Sequence, residues 1–281
     1  MKDTENKGSE LFVSSSSSNS FGIGKFDRDR FLQNRFILSE LVKKGIRLKY
    51  RRSYLGILWS LLEPLLTMIV LTIVFGTLMG EKTKDFPVYI LSGRLLYGFF
   101  SQSTTAALKS IRVNSSIIKK VYVPKLLYPL SSILFNFIIF LISLIVLALV
   151  SLMLGVFPTV YLLQAVVSLF VLLLLSLGCG LILSTVGVFF RDMEYLWNVG
   201  LMIIMYTCAI FYRAEKLLNS NWSFVLKLNP LFCVIDNFRS AIFGEPMNMH
   251  YLLYSTGFSI VAILIGIFAF KKNEDKFILE I

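Results

Sequence analysis

Arg47, Lys49, Arg51 and Arg52 place four cations within six residues, just before a long apolar run. A guanidinium can hold a phosphate through paired hydrogen bonds. Each cation beside a membrane contributes on the order of 1 kcal/mol toward an anionic surface. The cluster therefore predicts a site for a phosphate or pyrophosphate group at a membrane face, and the same cations also help to fix topology. Glu63 and Pro64 stand inside the apolar run that follows. At about 1.5 Å of rise per residue, Glu63 lies within about two turns of the interface. It either pairs with Arg51 or Arg52 or stays hydrated there. Pro64 is tolerated near a helix start, or kinks the helix. A second set of residues is aromatic. Phe86, Tyr89, Tyr97 and Phe100 recur at helical steps, with Gly93 between them. Such a stripe can stack on the C–H faces of sugar rings passing along a channel, or pack against a neighbouring helix.

Other chemistry is missing. There is no G-x-x-x-x-G-K-S/T phosphate loop, so nucleotide is not bound by that route. There is no H-E-x-x-H, and the single histidine, His250, falls at a membrane edge. Cys179, Cys208 and Cys233 match no zinc spacing and read as small packing residues. The charges expected inside membrane spans are Glu63 and Arg94 alone, too few for a proton or sodium relay.

The elements that must position these residues follow from composition. Of 281 residues, 56% are apolar, gathered in long runs between short charged stretches. That pattern predicts an all-α integral membrane protein. The net charge of +11 sits largely beside the apolar runs. It points to membrane lipids or an anionic lipid-linked substrate rather than nucleic acid. Residues 1–26 hold the serine tract Ser14–Ser18 and are expected to be a disordered tail. Residues 27–54 wind into a basic amphipathic helix lying in the cytoplasmic interface. Gln33, Glu40, Lys43, Lys44, Arg47 and Arg51 share one face, and Phe31, Leu38, Leu41, Val42 and Ile46 share the other. Arg35 and Lys49 break the pattern and are expected to snorkel.

Residues 55–271 form the membrane domain. Six spans are expected: Leu58–Met79, Phe86–Leu108, Leu126–Leu154, Tyr161–Phe190, Tyr195–Tyr212 and Tyr251–Phe270. The stretch Trp222–Phe243 is a poor span, because it carries Lys227, Asp236 and Arg239 and is broken at Asn229–Pro230. It predicts a re-entrant helical hairpin, about residues 214–248, before the last span. Twenty-one Lys/Arg then fall on one side of the membrane and six on the other. Both termini, including the tail 272–281, are expected in the cytoplasm, and the hairpin faces outward. Small residues one turn apart, Gly76 and Gly80, then Ser176, Gly180 and Ser184, permit close helix packing. The basic connection Lys109–Lys125 is longer than a turn requires, and a short helix is expected over Ser115–Val121 as a docking element.

Four stretches in this order, "RLKYRRSYLGILWSLLEPLL", "NSSIIKKVYVPKLLYPL", "VFFRDMEYLW" and "LNPLFCVIDNFRSAIFG", resemble the permease subunit of ABC transporters of the type-2 exporter class. The resemblance is strongest to the branch exporting O-antigen, teichoic acid and capsular polysaccharides. It runs from about Phe31 to the C-terminus. It implies a homodimer around a continuous channel, driven by two separate ATP-binding cassette subunits. ATP and magnesium would be held there, with no cofactor or metal in this chain and no enzymatic activity of its own. It implies coupling contacts at Asn114, Lys119, Lys120 and Pro124, and at Arg191, Asp192 and Glu194. It also implies an outer gate at the hairpin, with Asn229, Pro230, Asp236 and Arg239. The cargo would be a lipid-linked polysaccharide moved across the cytoplasmic membrane. Export of a drug or lipid, a polyprenyl-phosphate transferase and an ion-coupled flippase are the alternatives.

Overall fold

A computed structural model describes residues 23–51, 54–80, 83–121, 123–214 and 223–280, with side chains from Leu32 onward. The described secondary structure is entirely helical, as an apolar chain in lipid requires, because each helix satisfies its own backbone. The elements are α1 (Ile23–Tyr50), α2 (Trp59–Met79), α3 (Phe86–Val113), α4 (Ser115–Ile118), α5 (Leu127–Met153), α6 (Leu162–Phe189), α7 (Met193–Thr207), α8 (Ser223–Leu228), α9 (Pro230–Phe243), α10 (Met249–Asn273) and α11 (Phe277–Glu280).

Helix α6 is the centre. It packs most extensively on α10, and also on α3 and α9. The α6–α10 approach depends on two glycines. A β-carbon at Gly178 would come within 2.7 Å of Ala262 Cβ, and one at Gly266 within 2.8 Å of Leu181 Cβ. Backbones held this close gain dispersion contacts, the main attraction left between helices in lipid. Ser176, Gly180 and Ser184 also face inward; Gly180 lies against Ile133 of α5 and Ala107 of α3. The small residues of this helix therefore serve packing inside the subunit.

By length and composition, four helical segments among the described residues can cross a membrane: Gly56–Leu78, Leu127–Met153, Leu162–Phe189 and Met249–Asn273. The other two expected spans differ. Helix α3 is long enough but carries Arg94, Lys109 and Arg112, and it is sheathed by neighbours along most of its length. Helix α7 has 15 residues, about 22 Å at 1.5 Å each, short of a ~30 Å hydrocarbon core. The expected span to Tyr212 is not one helix. The chain turns at Ala209, whose φ is +48°, and residues 208–211 are buried. Tertiary bonds hold this turn: the Ala209 carbonyl accepts from Tyr89 Oη at 3.2 Å and Arg239 Nη1 at 3.1 Å.

Helix α1 starts at Ile23, within the stretch expected to be a disordered tail, and lies along α5. Val42 is buried, Leu38, Leu41 and Ile46 are half-buried, and Lys43, Lys44 and Arg47 are exposed. The expected amphipathic division holds for these residues, while Phe31 has no described side chain. The stretch expected to form a hairpin is divided at Asn229 into α8 and α9. Asn229 caps α9, its Oδ1 accepting from Leu231 N at 3.0 Å, with Pro230 in the first turn. That is the residue pair the local rules favour at a helix start.

Pro64 sits inside α2. It has no N–H, so the carbonyl of Ser60, four residues earlier, lacks its helical donor. Ser143 of α5 supplies one, its Oγ lying 2.8 Å from Ser60 O. The proline thereby frees an acceptor that ties α2 to α5.

Candidate functional site

Polar side chains line a groove between α1, α2, α3 and α5. It consists of two adjoining cavities of about 280 and 890 Å³ that share Lys49, Gln102 and Asn136. The larger runs under α1, past Lys44, Thr105, Lys109 and Asn114. The smaller lies deeper, between Glu63 of α2, Arg94 of α3 and Ser143 of α5, with Tyr50 and Trp59 at its wall.

Each position follows from helical spacing. Arg94, Gly98 and Gln102 recur every fourth residue, so they share one stripe of α3. A β-carbon at Gly98 would meet nothing within 4 Å, so the glycine opens the stripe to the cavity. Lys49, which broke the pattern of α1, stays exposed but reaches across to α3: its Nζ donates to Gln102 Oε1 at 3.0 Å. Partial burial pushes its pKa below the usual lysine value, and the nearby Glu63 carboxylate works against that. Neither Glu63 nor Arg94 forms an ion pair among the described residues. The guanidinium of Arg94 lies 5.9 Å from the ring of Tyr97.

Of the predicted phosphate site, Lys49 borders both cavities, and Arg47 and Arg51 are exposed. Arg52 lies outside the described residues. The predicted aromatic stripe is a correction. Phe86, Tyr89, Tyr97 and Phe100 are 2–7% exposed, and neighbours within the subunit account for them. Tyr97 Oη donates to Leu201 O of α7 at 2.9 Å. Phe100 lies against Trp197, and Phe86 stacks with Tyr89. The periodicity was that of a buried face.

At the end of the bundle holding α4, the expected docking helix is one turn, Ser115–Ile118, rather than seven residues. Its Ile118 enters an apolar cluster with Ile111, Tyr128, Val188, Phe270 and Phe277. Lys119, Lys120 and Pro124 remain exposed beside it. Asn114 closes α3, its Nδ2 donating to Ser110 O at 2.8 Å. Arg191 and Asp192 are exposed. Glu194 takes a different part, pairing with Lys109 and with Arg112 of α3, the latter at 3.4 Å. The Lys109 bond is the largest influence on the Glu194 pKa; together with the charges of Lys109 and Arg112 it outweighs the opposing effect of burial and holds the pKa below the usual carboxylate range.

At the opposite end, Arg239 of α9 is 3% exposed. Its guanidinium lies 3.5 Å from the centre of the Tyr89 ring and donates to Tyr89 O and Ala209 O, both at 3.1 Å. Asn229 Nδ2 donates to Thr207 Oγ1 at 2.9 Å. These two members of the predicted gate thus fasten α9 to the end of α7. Pro230 and Asp236 are half-buried. Sequence reading missed the neighbouring pair Arg213–Asp85, at 2.8 Å, which ties the end of this segment to the start of α3.

Residues 38–243 match the protein family described as ABC-2 type transporter. An O-antigen export system permease protein RfbA of Klebsiella pneumoniae is 28% identical over 244 residues, 86% of this chain and 93% of that protein. A polysialic acid transport protein KpsM of Escherichia coli is 27% identical over 255 residues, 88% of this chain and 97% of that protein. A capsule polysaccharide export inner-membrane protein CtrC of Neisseria meningitidis is 20% identical over 244 residues, 82% and 88% of the two chains.

Proposed function

Because this chain belongs to the ABC-2 type transporter family, we propose that it is the membrane subunit of an exporter for lipid-linked polysaccharide of the O-antigen or capsule type. The relatives point to that cargo. The observation that carries the reading is the groove itself, where Lys49 joins a basic interfacial helix to polar cavities in an otherwise apolar bundle. A lipid-linked glycan approaches in the cytoplasmic leaflet. Its phosphate or pyrophosphate is drawn to Arg47, Lys49, Arg51 and Arg52, which neutralise it at the headgroup level. The polyprenyl or acyl chain stays in lipid, and the polar end enters the groove beneath α1.

The energy comes from ATP hydrolysed in two separate cassette subunits, which also hold the magnesium. These dock at α4 and its exposed Lys119, Lys120 and Pro124, and at Arg191 and Asp192. Glu194 acts behind them, tying the start of α7 to α3. The working unit is a homodimer with both termini in the cytoplasm. The exposed apolar faces of α2 (Leu66, Ile69, Ile73) and α7 (Val199, Met202, Ile203) are available for the second copy, with the channel between the copies. At the outer end, the α8–α9 segment with Asn229, Pro230, Asp236 and Arg239 forms a re-entrant gate.

Co-expression with the ATP-binding partner in cells lacking their own exporter tests this. Glycan is expected to reach the outer side only when both proteins are present. Replacing both Arg47 and Arg51 with glutamine is expected to lower export several-fold with unchanged membrane insertion. Normal export and normal insertion in that variant would remove the phosphate role from the cluster.

A further inference from the structure

The smaller cavity contains more than a phosphate needs. Lys49 and Arg94 supply two cations, and Arg94 has no hydrogen-bond acceptor among the described residues. Glu63 is a puzzle beside them. A carboxylate repels phosphate, and here it forms no ion pair with Arg94, although both line the same space. Two amides complete the wall. Gln102 uses its Oε1 on Lys49, leaving its N–H donors available. Asn136 uses its Nδ2 on Ser132 O at 2.9 Å, leaving its Oδ1 as an acceptor. Tyr50 and Trp59 border the same cavity with aromatic surface. Carboxylate and amide acceptors suit vicinal hydroxyls, aromatic faces suit the C–H face of a pyranose, and the cations suit an anomeric phosphate. The volume, about 280 Å³, lies just below the ~300–1,000 Å³ typical of small-molecule sites. It suits one sugar ring with its phosphate rather than a length of chain.

We infer that this cavity reads the first sugar of the glycan together with the phosphate joining it to lipid, Glu63 and the amides taking the hydroxyls and Lys49 with Arg94 the phosphate. The inference rests on the export reading and deepens it: the permease selects the linkage end of its cargo. Glu63 then tells a glycosylated lipid from the bare carrier, whose naked pyrophosphate it repels.

The test is a calorimetric titration of the full chain in lipid nanodiscs. The probes are farnesyl pyrophosphate, the same lipid bearing one glucose, galactose or N-acetylglucosamine, the three sugar 1-phosphates without lipid, and inorganic phosphate. At least one sugar-bearing lipid is expected to bind about tenfold or more tighter than bare farnesyl pyrophosphate, the equivalent of one or two good hydrogen bonds. Its lipid-free sugar phosphate is expected to bind more tightly than inorganic phosphate. Glu63→Gln is expected to move the two lipids in opposite directions, weakening the glycosylated one and tightening the bare one. Arg94→Gln is expected to weaken both. The wild-type comparison requires no variant, and Gln102→Leu repeats the test from another helix. Equal binding of bare and glycosylated lipids in the wild type overturns the inference. So does Glu63→Gln shifting both in the same direction, since that is charge repulsion alone. A chain that exports glycan with its partner yet shows no sugar preference overturns this inference and leaves the export reading standing. A chain that exports no glycan overturns both.

Discussion

Adding one methyl group at Gly93 is expected to harm the protein more than deleting the arginine it faces. A β-carbon there would run into Arg239 Nη2, displacing a guanidinium that bonds Tyr89 O and Ala209 O and covers the Tyr89 ring. In Gly93→Ala the charge stays buried but loses its partners, a situation that costs about 3–5 kcal/mol when a buried pair is broken. In Arg239→Leu the charge leaves as well. Neither carbonyl is orphaned, because Tyr89 O keeps the Ser92 hydroxyl at 2.9 Å and Ala209 O keeps Tyr89 Oη. That change is expected to cost only about 1–2 kcal/mol. In the double variant the clash is gone, and alanine gains up to about 1 kcal/mol over glycine as a helix former. The coupling between the sites is therefore about 3–6 kcal/mol, at or beyond the upper end of what neighbouring residues show. Melting curves in detergent micelles measure it. At about 2–4 °C per kcal/mol for chains of some 150–250 residues, Gly93→Ala alone should melt roughly 6–20 °C early, and Arg239→Leu should rescue most of that loss. Additive losses in the double variant would refute the reasoning, showing that the glycine and the arginine matter for separate reasons.

Three further outcomes follow from contacts elsewhere. Gly178→Ala should lower the melting temperature by an amount matching about 1–3 kcal/mol of overpacking, because its new carbon meets the α10 backbone at Ile263 N, 2.8 Å away; an unchanged melt would mean that α6 and α10 have room to part. Phe277→Ala should cost about 3 kcal/mol, since that ring is fully buried against Phe189 and Phe270, and it should also raise protease cleavage near α4 without altering lipid insertion. Glu194 has its folded pKa lowered, so its contribution is complete above its unfolded value of about 4.3 and fades as pH falls through the lower folded value. The difference in melting temperature between wild type and Glu194→Gln should accordingly be constant from neutral pH to about pH 5 and vanish in stronger acid; a difference that disappears near pH 7 would assign it to another group.

Features encoded by adjacent residues were legible from the chain alone. Asn229–Pro230 marks a helix start by its own chemistry, and the structure begins α9 there. The division of α1 into a basic and an apolar side was visible in its spacing, and its exception, Lys49, is an exposed residue at the rim of the groove that reaches Gln102. Features decided by distant residues were not legible. The end of α7 at Thr207 carries no glycine or proline; it is set by Tyr89 and Arg239 reaching Ala209 from other helices. The stripe from Phe86 to Phe100 has the period of a helix face, and a period does not say whether lipid, a passing sugar or another helix covers that face. The family resemblance puts Arg239 at a gate, but its partners, two carbonyl oxygens and a tyrosine ring on distant segments, were not legible in the sequence. The partnership of Glu63 with Arg94 and Asn136 around one cavity required three helices to be placed first.

The proline of α2 has a consequence for motion. Ser143 carries one hydroxyl hydrogen and has two acceptors in reach, Ser60 O across the helix boundary at 2.8 Å and Ile139 O in its own helix at 3.0 Å. When the first turn of α2 swings away from α5, the hydroxyl can hand its hydrogen to Ile139 and lose nothing. The Ser60 carbonyl, left behind at the cavity wall, can be met by water or by a hydroxyl of the cargo. Parting the two helices thus exchanges hydrogen bonds rather than breaking them. An ordinary helix, with its ladder complete at that point, would have no carbonyl to offer in either position. Glu63 is the residue just before that proline, so the same small swing that opens the joint also moves the carboxylate.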